Sequence, residues 1–257
     1  MKFLSLKHPI ITGMIKSVSL DGILKEIEKI REDGADAYGF QLEGCKSECK
    51  TEEAIKRILG AMSDKPVYFT NYMRRNSDPS VGWDKIEEEI ITAVSAGADL
   101  IDIPGDMYSS ADMELTGDPC AIKRQISLIE RLHSLGCEVL MSSHVLRFIS
   151  PRCILDIAKE HERRGADVSK IVINTDTKDE MRDAFIASVE LNRNLNIKSL
   201  LLSNGREART HRHIGPLFGS ALFLATENSL VGQDQPTIKV AREIVGMNEA
   251  FGGGFFK

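Results

Sequence analysis

Lys170 to Asp176 reads KIVINTD, and Thr177 to Leu195 continues as TKDEMRDAFIASVELNRNL. The first segment is a β-branched run of the kind that fills a buried strand. The second is a longer amphipathic stretch with helical spacing. This strand-then-helix pair repeats along the chain. Upstream, CEVLMSSHVL (137–146) leads into PRCILDIAKEHERRG (151–165), and ADLIDIP (98–104) into AIKRQISLIERLHSLG (121–136). Before these come PVYFTNYM (66–73) with WDKIEEEIITAVSAG (83–97), and Asp36 to Gly44 with TEEAIKRILGAM (51–62). The first pair is His8 to Ile15 with Leu20 to Gly34, where Ile23, Ile27 and Ile30 recur at helical spacing. Downstream, IKSLLLSNG (197–205) precedes a short ARTHRHIGPLFG helix, and SALFLATE (220–227) precedes TIKVAREIVGMNEAF (237–251). Gly34, Gly97, Gly136 and Gly165 stand where helices should stop.

Eight strands alternating with eight helices require parallel strands, since each return crosses the sheet through a helix. Within 257 residues this predicts a single (β/α)8 TIM barrel domain, a fold of about 250 residues. An open doubly wound sheet is the rival architecture. No linker rich in Pro, Gly or Ser divides the chain, so one domain spanning residues 1–257 is expected.

Composition narrows the function classes. The 33 Lys plus Arg and 38 Asp plus Glu give a net charge of -5, with no basic block and 6% aromatic residues, which offers nucleic acid no binding surface. No uncharged apolar stretch reaches the roughly 18 residues of a membrane helix. Charges at Lys2, Lys7 and Lys16 interrupt the apolar start and argue against a signal peptide. Cysteines at 45, 49, 120, 137 and 153 are odd in number and form no CxxC pair, which argues against a disulfide framework or a zinc ribbon. A soluble cytoplasmic protein without a membrane or nucleic-acid partner is expected.

Active sites of such barrels lie on the loops after the carboxyl ends of the strands. The polar residues expected there are Gln41 and Glu43, Asn71 and Tyr72, Asp102, His144, Asn174, Ser203 and Glu227. Lys170 opens an apolar strand. Facing the barrel interior, its amine would lose hydration and become a nucleophile able to form a Schiff base with a carbonyl. Facing the opposite rim, it would be an ordinary solvated lysine. His144 ends the adjacent strand and suits proton transfer beside an imine, or it is a hydrogen-bonded rim residue. Arg212, read as lying near a helix amino end, suits a carboxylate, with a plain surface arginine as the alternative. His211 and His213 flank it but point to different helix faces, so no metal site is expected. ENSLVGQDQPT (227–237) is either a lid or an ordinary connection.

Together these segments resemble the type I 3-dehydroquinate dehydratases, Schiff-base lyases of the shikimate pathway, over nearly the whole chain. VLMSSHVLRFISP (139–151) is similar to the family's strand ending in S-x-H before Thr-Pro or Ser-Pro. GADVSKIVINT (165–175) resembles its GAD-x-x-K-I segment, and SNGREARTHRHIGPLFGS (203–220) its S-M-G-x-x-G-x-x-S-R-x-x-G-x-x-F-G-S run. SLVGQ (229–233) looks like its S-A-P-G-Q lid.

The resemblance implies Lys170 as the imine-forming lysine, His144 as the general base, Arg212 as the carboxylate ligand, and Ser229 with Gln233 as lid contacts. It also implies a carboxylated ketone as substrate, 3-dehydroquinate or a relative, no cofactor, and a homodimer. The first half departs from the pattern. In GFQLE (39–43) the family's E-x-R-x-D becomes Gly39, Gln41 and Glu43; Tyr72 stands for an arginine, Asn76 for the glutamate that orients the histidine, and Pro104 for a strand-four acid. Arg74 and Arg75 read as exposed loop residues. The departures leave room for a diverged imine-forming lyase on another keto acid, or for a non-catalytic metabolite-binding homologue.

Overall fold

Every one of the eight repeats folds as its pattern predicts. A computed structural model of the chain describes residues 2–228 and 234–250. Strands and helices alternate as β1 (Ile10–Met14), α1 (Leu20–Glu32), β2 (Ala37–Gln41), α2 (Glu52–Ala61), β3 (Val67–Thr70), α3 (Trp83–Ser95), β4 (Leu100–Pro104) and α4 (Pro119–Ser134). The second half continues with β5 (Glu138–His144), α5 (Pro151–Arg163), β6 (Val168–Asn174), α6 (Lys178–Asn194), β7 (Lys198–Asn204), α7 (Ala208–Ile214), β8 (Leu222–Ala225) and α8 (Ile238–Ala250).

Strand order in the sheet is β7-β6-β5-β4-β3-β2-β1-β8, all parallel. A single bridge, Ser199 to Ser220, draws the two ends together and closes the barrel. This is the TIM barrel expected from the alternation; an open sheet would leave β7 and β8 apart.

Local signals explain where the helices start and stop. Asp118, Ser150 and Thr177 cap α4, α5 and α6 by accepting backbone N–H groups, and Thr177 forms a capping box with Glu180. The predicted stop glycines all adopt left-handed backbone, with φ from +80° at Gly34 to +110° at Gly97. Ile23, Ile27 and Ile30 of α1 are fully buried against the sheet.

The period of two along each strand separates two cores. Leu100, Leu140, Val168, Val172, Leu200 and Leu222 pack together inside the barrel. Ile171, Ile173, Val139 and Met141 face the surrounding helices. The interior filling ends below the mouth, where polar side chains take over.

Candidate active site

Strand parity decides the direction of Lys170. Its neighbours at plus and minus two, Val168 and Val172, belong to the inner core, whereas Ile171 belongs to the outer one. Lys170 therefore points into the barrel, 5% exposed. Its Nζ donates to Asp102 Oδ2 at 3.0 Å, to Tyr68 Oη at 3.0 Å and to Tyr72 Oη at 2.8 Å. Both phenols donate in turn to that same Asp102 oxygen. Burial alone would raise the Asp102 carboxyl, but the Lys170 charge and the two phenolic hydrogen bonds outweigh it and hold its pKa below the ordinary value. Burial, then the Asp102 charge, pushes both phenols well above theirs, so they remain donors.

His144 stands one layer above Lys170. Ser142 pairs with Lys170 and His144 with Val172 across the β5–β6 ladder. The imidazole packs edge-on against Tyr72, with centroids 5.2 Å apart at 79°. Its Nδ1 meets Glu114 Oε2 at 2.5 Å, and the His144 backbone N–H donates to the same oxygen. A carboxylate there accepts a hydrogen bond from Nδ1–H and leaves the lone pair on Nε2, which has no protein partner among the described residues. Burial holds the His144 pKa below the ordinary value against the Glu114 hydrogen bond, and the Lys170 charge adds to burial. The ring is thus a neutral base at neutral pH.

Glu114 is a site residue that the sequence does not announce. It lies in the connection between β4 and α4, in left-handed backbone (φ +51°) beside Met113 (φ +57°). Ser143 Oγ donates to its carbonyl at 3.0 Å, and a Cβ at Gly105 would come within 2.6 Å of that carbonyl, so glycine is required there. The buried Arg164 fastens the loop by donating to the Gly105 and Thr116 carbonyls at 2.8 and 2.7 Å. The other Glu114 oxygen pairs with Arg74 at 2.5 Å.

A cavity of about 200 Å³ opens above Lys170 and His144. Lys16, Gln41, Arg75, Asn204 and Arg212 form its polar wall, and Met14, Val172, Leu202 and Leu224 its apolar one. Arg212 donates from Nε to the Ser203 carbonyl at 2.6 Å and from Nη2 to Asn204 Oδ1 at 2.7 Å. It reaches the cavity, but not from a helix amino end as expected: it is the fifth of seven residues in α7, in the last turn. The helix N–H groups therefore lie away from it, and burial lowers its pKa to about 10.

Two comparisons with solved structures agree with this barrel. The chain resembles 3-dehydroquinate dehydratase from Geobacillus kaustophilus HTA426 with a TM-score of 0.82 at 17% identity, covering 98% of this chain and 96% of that one. It resembles the type I enzyme from Clostridium difficile with a TM-score of 0.79 at 17% identity, covering 96% and 94%. In sequence, the 3-dehydroquinate dehydratase of Neisseria gonorrhoeae (strain NCCP11945) is 23% identical over 220 residues, 84% of this chain and 82% of its own. The family model for type I 3-dehydroquinase matches residues 14–251. The chain belongs to the type I 3-dehydroquinase family.

Within this family frame, the first-half departures acquire physical detail. A Cβ at Gly39 would collide with Met14 Sδ, so any side chain there requires Met14 to turn aside. Gln41 faces the cavity, accepts from Lys16 Nζ at 3.3 Å and donates to Glu43 at 3.5 Å. Tyr72 is drawn into the Lys170 cluster. Asn76, expected behind the histidine, instead accepts from Lys50 and donates to Asn71. The histidine's glutamate is not lost: Glu114 supplies it from another loop. Arg74 and Arg75 are exposed as expected, yet Arg74 pairs with Glu114 and Arg75 lines the cavity.

Ser229 and Gln233 lie outside the described residues. Among the described residues no group of three His, Cys, Asp or Glu side chains is placed to hold a metal ion, and no helix is long and apolar enough to cross a membrane. Three further site residues escape the sequence patterns to different degrees. Lys16 follows β1 and is open to the strand-end rule; Tyr68 reads as core, and Glu114 carries no periodic signal at all.

Proposed function

We propose that the protein is an imine-forming lyase acting on a carboxylated ketone, in keeping with its membership of a dehydratase family. The observation that carries this reading is the shared cavity of Lys170 and His144, with Glu114 behind the histidine. Lys170, freed of one proton, adds to the ketone carbon; water leaves and a protonated imine remains. That cation withdraws electrons from the adjacent carbon, and His144 Nε2 removes its proton to give an enamine. The enamine expels the β-hydroxyl, which leaves as water with the proton carried by His144. Hydrolysis of the imine releases product and regenerates the amine.

Arg212 binds the substrate carboxylate in this reading, with Ser229 and Gln233 closing from the lid. The chemistry uses an amine and an imidazole and calls on no cofactor. Tyr68, Tyr72 and Asp102 hold the lysine in place until substrate arrives.

The substrate is 3-dehydroquinate, converted to 3-dehydroshikimate, or a related keto acid. Met14 against Gly39, and Tyr72 in place of a cation, favour the related keto acid, because they remove charged groups suited to ring hydroxyls. Borohydride reduction followed by peptide mass spectrometry tests the mechanism. The expected result is a stable adduct on Lys170 with 3-dehydroquinate or another member of a keto-acid panel, absent in Lys170→Ala. Failure of every member to label Lys170 would refute the imine. The family resemblance further leads us to read the protein as a cytoplasmic homodimer, which light scattering on the eluted peak checks as twice the 28.5 kDa chain mass.

A further inference from the structure

Four cations, Lys16, Arg75, Lys170 and Arg212, line the cavity, and among the described residues no acid does. Lys170 is compensated by Asp102 at 3.0 Å. Lys16, Arg75 and Arg212 feel Glu26, Glu43 and Asp234 only at longer range, and among the described residues none of the three makes an ion pair. Their partners are neutral: the Gln41 amide for Lys16, the Ser203 carbonyl and Asn204 amide for Arg212, and the Tyr72 ring, 5.7 Å from the guanidinium carbon, for Arg75.

The nearby acids stand behind the wall rather than in it, so none of them meets a ligand in the cavity. Glu26 accepts the backbone N–H groups of Lys16 and Ser17 at 2.9 and 2.7 Å. Glu43 is buried and accepts from the Thr70 hydroxyl. Glu114 is shared by Arg74 and His144. Asp234 lies near enough to Arg212 to oppose the fall in its pKa, yet forms no ion pair with it. The stretch 229–233, SLVGQ, contains no acid.

The three cations also act on one another. After burial, the Arg75 charge contributes to lowering Arg212. Lys16 is exposed as a residue but lines the cavity mouth; desolvation there, and next the Arg212 charge, lower its pKa against the pull of Glu26 and Glu43. Like charges gathered in a confined polar space repel until an anion enters, and the anion gains from each of them. One carboxylate matches one guanidinium fork. Three cations spread over the residue pair after β1, the loop after β3, and α7 match two negative charges.

We propose that the substrate carries a dianionic end, a second carboxylate or a phosphate monoester, held by Lys16, Arg75 and Arg212 while its carbonyl reaches Lys170. The carbonyl part rests on the imine-forming reading; the anion part does not. Calorimetry with anions that have no ketone separates the two, since propionate, succinate and inorganic phosphate cannot form an imine. In low salt, succinate or phosphate should bind about tenfold or more tightly than propionate, as one added charge-assisted contact allows. Arg75→Gln and Lys16→Gln, at exposed positions that tolerate polar replacement, should each erase most of that advantage, while Lys29→Gln in the neighbouring groove should keep it.

Succinate ahead of phosphate assigns a dicarboxylate, and phosphate ahead assigns a phosphate ester. Equal affinity for propionate and both dianions overturns the proposal. So does a dianion preference that survives both substitutions or that disappears in Lys29→Gln. If the preference holds while no keto acid labels Lys170, the dianion site stands and the imine falls. If a keto acid labels Lys170 without any dianion preference, the imine stands and the dianion site falls.

Discussion

From β5 to β8 the mouth of the barrel carries the amine and imidazole that the resemblance leads one to expect, whereas from β1 to β4 it carries other residues than those expected. Lys170 and His144 occupy inward positions on adjacent strands and are fixed by the ladder that pairs Ser142 with Lys170 and His144 with Val172. Across the barrel, Gly39, Gln41, Tyr72 and Pro104 stand where the family resemblance leads one to expect charge. There Met14 fills the space over Gly39, and the two tyrosines close around Asp102 and Lys170. The half that bears the reacting groups in the proposed mechanism is held by strands. The facing half takes its charges from Lys16, Arg75 and Glu114, which lie on connections between strands and α-helices. Loops can exchange residues without disturbing the barrel, so recognition is the freer property.

The largest break in this comparison should come from the strand-held half. His144→Ala is expected to lower kcat by roughly 10² to 10⁴, the range of a positioned general base. The borohydride adduct on Lys170 should survive, because imine formation precedes proton removal; its loss would mean that His144 acts earlier.

Glu114→Gln tests whether a loop residue has taken a role in the strand-held half. We expect a fall in kcat of about tenfold to a hundredfold, smaller than the roughly 10⁴ lost when a triad carboxylate that fixes a histidine tautomer is removed. Glu114 raises the His144 pKa, so its removal should move the acidic limb of the kcat profile to lower pH. A limb that moves up, or an unchanged rate, would show that Glu114 does not orient the ring.

Gly39→Glu sharpens the comparison from the other side. Restoring the carboxylate drives a Cβ into Met14 Sδ, and overpacking of this kind costs about 1–3 kcal/mol. A thermal midpoint several degrees lower, with no gain in 3-dehydroquinate turnover, is expected; an unchanged midpoint would mean that Met14 moves aside freely.

A separate effect, away from the mouth, concerns acid stability. His161 and His211 are buried, and burial lowers their pKa values to about 3 and about 4. The folded state then binds fewer protons than the unfolded chain below about pH 6.5, the free histidine value. Stability should therefore fall as pH drops from about 6.5 toward 4, and it should be flat above 7 as far as these groups are concerned. His161→Gln should shallow that decline in melts recorded across this range.

Much of the site is legible in the sequence because period-two patterning reports side-chain direction once a strand is recognised. KIVINTD and VLMSSHVL put a lysine and a histidine on neighbouring strands, and alternation makes them neighbours in space. The direction of Lys170 requires the register with Val168 and Val172. Arg212 is expected at the cavity and lies there, but in the last turn of its helix, because α7 starts at Ala208 as read yet stops at Ile214, where Gly215 and Pro216 tighten the chain into a 3₁₀ turn. Glu114 is invisible for a different reason: it reaches His144 across 30 residues of sequence through a loop held by Arg164 and Gly105.

The amino-acid sequence by itself determined the number of repeats, the parallel sheet, the helix stops and the strand positions of the amine and imidazole. These are written in short-range periodicity and caps, where each residue's preference is set by its near neighbours. Only the tertiary structure decided that Glu114 stands behind His144, that two tyrosines and Asp102 enclose Lys170, and that Lys16, Arg75 and Arg212 converge without an ion-pair partner among the described residues. Those facts depend on loops brought together by barrel closure, and contacts between residues far apart in the chain leave no local pattern to read.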